Sequence, residues 1–207
     1  MSDHVGVKRI AGTWAGECPQ IKLSEEDEKR LEEFIPLHDS IKHEIKRELE
    51  KQGFNCSEEY PIEYGVLNVS KVVGRVDLYC TGNGVNIIIE VKSSFIGNGK
   101  PRDMMQLYLY YLLLVRQGIN INTALLIYRN YVGVNNRVNV PLSESITAPL
   151  PGKYVYVKLR VGESIRHVLM LEELIKELAA GGYVIGRDCE YCINESCPLV
   201  KTQRLSM

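Results

Sequence analysis

No apolar run among the 207 residues approaches the roughly 20 needed to cross a bilayer, which excludes a single-span helical anchor. The opening stretch MSDHVGVKRI has no apolar signal-peptide core. The expected location is therefore the cytoplasm, with no membrane partner. Neither sign of charge is in excess: 25 Lys and Arg stand against 26 Asp and Glu, for a net charge of −1. Bulk charge thus announces no nucleic-acid partner, although a local basic patch would be enough for one. The loop 96-IGNGKP-101 lacks the G-x-x-x-x-G-K-[ST] spacing of a phosphate-binding loop. With no ATP-binding or helicase signature, a motor enzyme is excluded. There is no internal repeat and no low-complexity segment.

What is present suits one soluble domain spanning 1–207, with 45% apolar and 25% charged residues. Residues 1–24 show no period. Ser24 is a plausible N-cap followed by Glu25, Glu26 and Asp27, and apolar residues then recur at helical spacing through Leu49. Gly53 ends that segment and Pro36 divides it, giving one or two helices between 25 and 52. Strands are expected over 59–66, 69–80, 85–92, 121–128 and 154–161, and helices over 103–117 and 164–180. The interval 131–153 is turn-rich and poorly readable.

The stretch 87-IIIEVKSS-94 places a glutamate and a lysine in the most apolar strand of the chain. Just before it, 81-TGNG-84 contains Asn-Gly, the strongest short signal for a two-residue hairpin turn. Such a turn sets Gly82 opposite Val85, Asp77 opposite Glu90 and Arg75 opposite Lys92. Directly opposed side chains share a face with Cβ atoms about 4.5–5.5 Å apart, so two carboxylates converge. They repel unless a cation lies between them or one is protonated. A hard divalent cation with oxygen ligands would resolve the conflict and could activate water against a phosphate. Lys92, two residues beyond Glu90, falls on the same face and could neutralise developing negative charge. The plainer alternative is a charged strand end in which the acids pair with Arg75 and Lys92.

The motifs 74-GRVD-77 and 90-EVK-92 resemble the core of the PD-(D/E)XK nuclease superfamily. More narrowly, the chain resembles RecB-like nucleases with a four-cysteine iron–sulfur cluster, including the CRISPR-associated RecB-like exonucleases. Gln106 and Tyr110 within 106-QLYLYYLLL-114 match the Q-x-x-x-Y of that group, and at i and i+4 they share a helix face. A histidine precedes the hairpin at His38, with Ile41 and Ile45 at the family's offsets and Phe34, Ile45 and Leu49 expected on its apolar face. His43 is the competing histidine. One early cysteine, Cys18, and three late ones in 189-CEYCINESCP-198 complete the likeness.

The resemblance implies an α/β restriction-endonuclease-like core, a mixed sheet flanked by helices, over about 25–180. Its N- and C-terminal segments would be joined by a cluster on Cys18, Cys189, Cys192 and Cys197. That cluster is [4Fe–4S] by resemblance, with zinc the alternative on thiolate chemistry alone. Cys56 and Cys80 are left over and read as buried apolar residues. Asp77, Glu90 and Lys92 would be catalytic. His38, Asp77, Glu90 and the Val91 carbonyl would hold Mg²⁺ or Mn²⁺, with Gln106 and Tyr110 supporting them or touching DNA. The implied activity is metal-dependent DNA cleavage, chiefly of single strands, as an exonuclease with endonuclease activity possible. Lys100, Arg102, Arg116 and Arg129 are candidates for a basic channel. The setting would be CRISPR adaptation in antiviral defence, or replication and recombination, in a prokaryotic or virus-infected archaeal cell. A homo-oligomer is compatible with the family. The rival from another class is a non-catalytic, cluster-stabilised DNA-binding or scaffold protein.

Overall fold

The computed structural model describes residues 4–18, 24–66, 70–94, 101–130, 137–143 and 145–159, together with Glu173 and Cys197. Apart from Glu173, the helix expected over 164–180 lies outside them, as do Lys100, Cys189 and Cys192.

In the 1–24 stretch, where no period is visible, a short strand β1 (His4–Gly6) runs into helix α1 (Val7–Trp14). Pro36 does divide the next helical segment, into α2 (Glu25–Glu33) and α3 (Ile35–Glu50). Proline fits the first turn because the missing N–H would be unbonded there in any case. Ile41, Ile45 and Leu49 form the buried stripe of α3, and Gly53, at φ +85, closes it. Phe34 is not on that stripe. It sits at the α2–α3 junction and is 54% exposed.

Strand β2 (Asn55–Val66) pairs antiparallel with β3 (Ser70–Gly82), which turns through Asn83-Gly84 into β4 (Val85–Lys92). Both turn residues have positive φ, and Gly82 faces Val85, as the Asn-Gly signal predicts. Helix α4 (Pro101–Arg116) crosses over to β5 (Thr123–Arg129), which lies parallel to β4 and antiparallel to β8 (Tyr154–Lys158). The poorly readable interval contains a small hairpin, β6 (Arg137–Pro141) and β7 (Thr147–Pro151). The six-stranded sheet is mixed, with β4 between β3 and β5.

Two apolar layers enclose the sheet. Val7, Ile10 and Ala11 of α1 pack with residues 107–114 of α4 on one side. On the other, the α3 stripe packs with Val140, Leu142, Ala148 and Leu150 around the β6–β7 hairpin. The β4 residues Ile87, Ile89 and Val91 enter the second layer and Ile88 the first, so β4 is apolar because it is covered on both faces.

The β2–β3 pair changes face partway along. Cys56, Leu78 and Cys80 pack on the α3 side, whereas Tyr60, Ile62, Val72 and Val76 pack on the α4 side. An uninterrupted strand keeps alternate residues on one face. The interruption falls at Glu59 and Asp77: the register runs Glu58 to Leu78 and then Tyr60 to Val76, skipping the pair between. Glu59 takes φ +50, a left-handed conformation rare for a residue with a side chain.

Cys56 and Cys80 are directly opposed and joined by a disulfide across 24 residues of chain. Both are buried in the apolar core as expected, but they are joined to each other rather than left over. Replacing both with alanine should lower stability by about 3 kcal/mol, the scale for a closed loop of this size, as read by urea denaturation.

Candidate metal-dependent active site

The functional side chains meet where β3 and β4 part. Their ladder ends at Leu78–Ile89, while β4 stays paired with β5 as far as Lys92. The N–H and C=O of Val91 therefore have no ladder partner on the β3 side. Asp77 turns into that gap, and its Oδ2 accepts the Val91 N–H at 2.7 Å. The same Oδ2 lies 3.2 Å from His38 Nε2, which is also 3.2 Å from the Val91 carbonyl oxygen. One ring nitrogen, one carboxylate oxygen and one free carbonyl thus converge. His43 is not part of this group and pairs with Glu58 at 3.0 Å. The β3–β4 ladder stops at Leu78–Ile89, so neither the expected Asp77–Glu90 pair nor the expected Arg75–Lys92 pair forms in it.

Glu90 and Lys92 point to the α4 side. Glu90 is 1% exposed, and its Oε1 accepts from Lys92 Nζ at 2.8 Å and from Gln106 Nε2 at 2.7 Å. Lys92 Nζ also donates to Gln106 Oε1 at 3.0 Å and approaches Asp103 Oδ1 at 3.5 Å. Gln106 Nε2 reaches Tyr110 Oη at 3.2 Å, and that hydroxyl accepts the Arg75 backbone N–H. Glycine at 74 makes this possible: a Cβ there would lie 2.7 Å from the Tyr110 ring and 3.0 Å from Val7. Asp103 was missed by the sequence reading. It is buried, takes the Tyr128 hydroxyl on Oδ2 at 2.9 Å, and lies three residues before Gln106 on the same helix.

The electrostatics divide the two carboxylates. Burial pushes the Glu90 pKa up to about 7, with the Asp77 charge adding to it and Lys92 opposing it. Burial works against Asp77 ionisation too, but the His38 and Val91 hydrogen bonds prevail and hold its pKa below the usual value. His38 is raised, first by its hydrogen bond to Asp77. Burial opposes the charge of Lys92, but Glu90 and Asp103 outweigh it and raise the pKa, so the ammonium stays charged.

These shifts predict how the metal-free protein responds to pH. A carboxyl raised from 4.5 to about 7 on folding binds more protons in the folded state between those values. Its stabilising effect is complete below pH 4.5 and fades as pH rises through 7. The raised His38 acts in the same direction. Stability in EDTA should therefore fall between pH 5 and 7.5, by about 3 kcal/mol from Glu90 alone. Glu90→Gln should flatten that slope, as read by denaturation midpoints.

The arrangement fits a divalent ion. Glu90 Oε2 is buried and has no hydrogen-bond partner among the described residues. Such an orphaned acceptor, within reach of the Asp77 charge, is costly unless a cation is drawn to it. No three His, Cys, Asp or Glu side chains among the described residues already stand at ligand distances. The groups that would serve as donors are His38, Asp77 and the Val91 carbonyl, while Glu90 is bonded through Oε1 to Lys92 and Gln106.

No family model matches the chain, and no curated protein matches it. A solved archaeal structure, the crystal structure of SSO0001, is similar in fold: 19% identity and a TM-score of 0.56, covering 96% of this chain and 87% of that one. The fold is a restriction-endonuclease-like α/β core.

The other expected residues are more dispersed. Cys18 and Cys197 are buried free thiols. Arg102 pairs with Glu17 at 2.9 Å and remains partly exposed. No described helix is long and apolar enough to cross a membrane.

Proposed function

We propose that the chain is a divalent-metal-dependent deoxyribonuclease of the PD-(D/E)XK, RecB-like type, acting chiefly on single-stranded DNA. The observation that carries this reading is the buried Asp77–Glu90 pair with its unpartnered Glu90 Oε2, flanked by a charged lysine. His38, Asp77, Glu90 and the Val91 carbonyl would hold Mg²⁺ or Mn²⁺. When bound, the ion supplies Lewis-acid polarisation of a phosphoryl oxygen and acidifies water.

The protein's own groups do the rest. Asp77, fixed by the Val91 N–H, stays ionised and presents a fixed carboxylate. Lys92 stays charged and neutralises negative charge growing on the phosphate. Gln106, Asp103 and Tyr110 hold Lys92 and Glu90 in place, so little reorganisation is needed during the reaction. The free buried thiols Cys18 and Cys197 are compatible with a [4Fe–4S] cluster completed by Cys189 and Cys192, with zinc as the alternative. Exonuclease action with some endonuclease activity, in CRISPR adaptation or in replication and recombination, is the setting we propose from the resemblance.

The test is incubation of anaerobically purified protein with end-labelled single- and double-stranded DNA under Mn²⁺, Mg²⁺ or EDTA. Metal-dependent cleavage, faster on single strands, is the expected result. Intact, cluster-loaded protein that binds DNA without cutting it would replace this reading with the scaffold one.

A further inference from the structure

We propose that Lys42 is a positioning residue for Asp77, acting through the left-handed kink at Glu59 on the neighbouring strand. Two consecutive acids, Glu58 and Glu59, reach the same helix. Glu58 bonds Lys46 and His43, each at 3.0 Å, so it faces α3. In a regular strand Glu59 would face the opposite side. Instead it meets Lys42 Nζ, also on α3, at 2.6 Å. The positive φ of Glu59 is what lets both carboxylates reach one helix.

That conformation is sterically costly for a residue with a Cβ, and the Lys42 contact offsets it. Lys42 is 5% exposed, and its ammonium is held by Glu59 and by Asp39 at 3.1 Å. The ammonium is held between two part-exposed carboxylates, and the strained Glu59 is held by the ammonium, so each fixes the other.

The kink has a consequence across the ladder. At Glu59 the buried face of β2 inverts, and the residue opposite, Asp77, drops out of pairing with both neighbouring strands. Freed in this way, Asp77 turns its Oδ2 to the Val91 N–H and to His38. His38 and Lys42 are four residues apart on one face of α3. Asp39 lies 3.6 Å from His38 Nδ1 and also holds Lys42. One helix therefore carries the ring that meets Asp77 and the clamp on the kink opposite it.

The proposal rests on the nuclease reading only for its effect on cleavage, so its first readout is independent of DNA. Amide hydrogen exchange of Val91 reports the Asp77 bond, with Ile88, inside the β4 ladder, as the reference for global stability. Lys42→Met should reduce Val91 protection on the order of tenfold relative to Ile88. It should also lower kcat for DNA cleavage with KM unchanged. Adding Glu59→Gly, which accepts positive φ without strain, should restore both, a rescue that a purely structural ion pair would not show. Unchanged Val91 protection in Lys42→Met, or no recovery in the double variant, would overturn the proposal.

Should Lys42→Met fail to fold, Glu59→Val and Glu59→Gly decide, since both lack the carboxylate and only glycine tolerates the kink. Loss of Val91 protection with valine and retention with glycine supports the proposal, and equal protection refutes it. Wild-type protein that cuts no DNA would remove the nuclease reading, while the Val91 exchange would still give its answer.

Discussion

Glu90→Gln should abolish metal-dependent cleavage of single-stranded DNA, lowering the single-turnover rate by at least about a thousandfold. The substitution is nearly isosteric, so the Lys92 and Gln106 contacts to Oε1 can persist on the amide oxygen. What is lost is the charge, and with it the orphaned acceptor Oε2 that favours a dication. The same change removes a buried charge that raises the energy of the metal-free fold at alkaline pH. The variant in EDTA at pH 8 should therefore melt at or above the wild-type temperature. Folded, stable and inactive is the expected combination. Cleavage that persists in a folded variant would mean a contaminating nuclease or an active site elsewhere in the chain.

Much of this site was legible because it depends on local geometry. Asn83-Gly84 fixes a two-residue turn, and the turn fixes the register from Gly82–Val85 to Leu78–Ile89, one residue short of Asp77 and Glu90. The ends of β4 follow from its β-branched run. The sequence alone does not show that the strands separate here, leaving the Val91 N–H to Asp77 and the Val91 carbonyl to His38 instead of to β3. That depends on the kink at Glu59, and a Glu carries no sequence signal for positive φ. Lys42 was invisible for the same reason, as its role requires knowing which strand α3 packs on.

The misreadings have similar origins. Starting β2 at Glu59 left Cys56 in a loop, whereas the strand begins at Asn55 and sets Cys56 against Cys80. Helix α1 does carry Val7, Ile10, Ala11 and Trp14 at helical spacing, but over only eight residues, too short a run to stand out as a period. Phe34 fits the α3 stripe by spacing alone, but Pro36 starts α3 anew and leaves it outside. Asp103 passed as an ordinary acid in the first turn of a helix. Only the crossover from β4 through α4 to β5 brings it to both Lys92 and Tyr128.

Lys92→Met tests whether the lysine acts through its charge. The Met side chain fills similar space, so the change removes the ammonium with little loss of packing. We expect the cleavage rate to fall by about a hundredfold to a thousandfold, the range for deleting one preorganised electrostatic contact. The pH profile should shift as well. The Lys92 charge and hydrogen bond hold the Glu90 pKa down against burial and the Asp77 charge. Without them Glu90 ionises only at higher pH, so the acid limb of the residual activity should move to higher pH. A lysine acting as a proton acceptor would need to be neutral, yet Glu90 and Asp103 raise its pKa and keep it protonated. The limb moves with any loss of that resting charge, so Lys92→Arg, which keeps the charge but cannot accept a proton, separates the two roles. A rate well above that of Lys92→Met identifies the charge as the working part of Lys92. A rate as low as that of Lys92→Met assigns it proton transfer, and an undiminished rate in Lys92→Met removes Lys92 from the reaction.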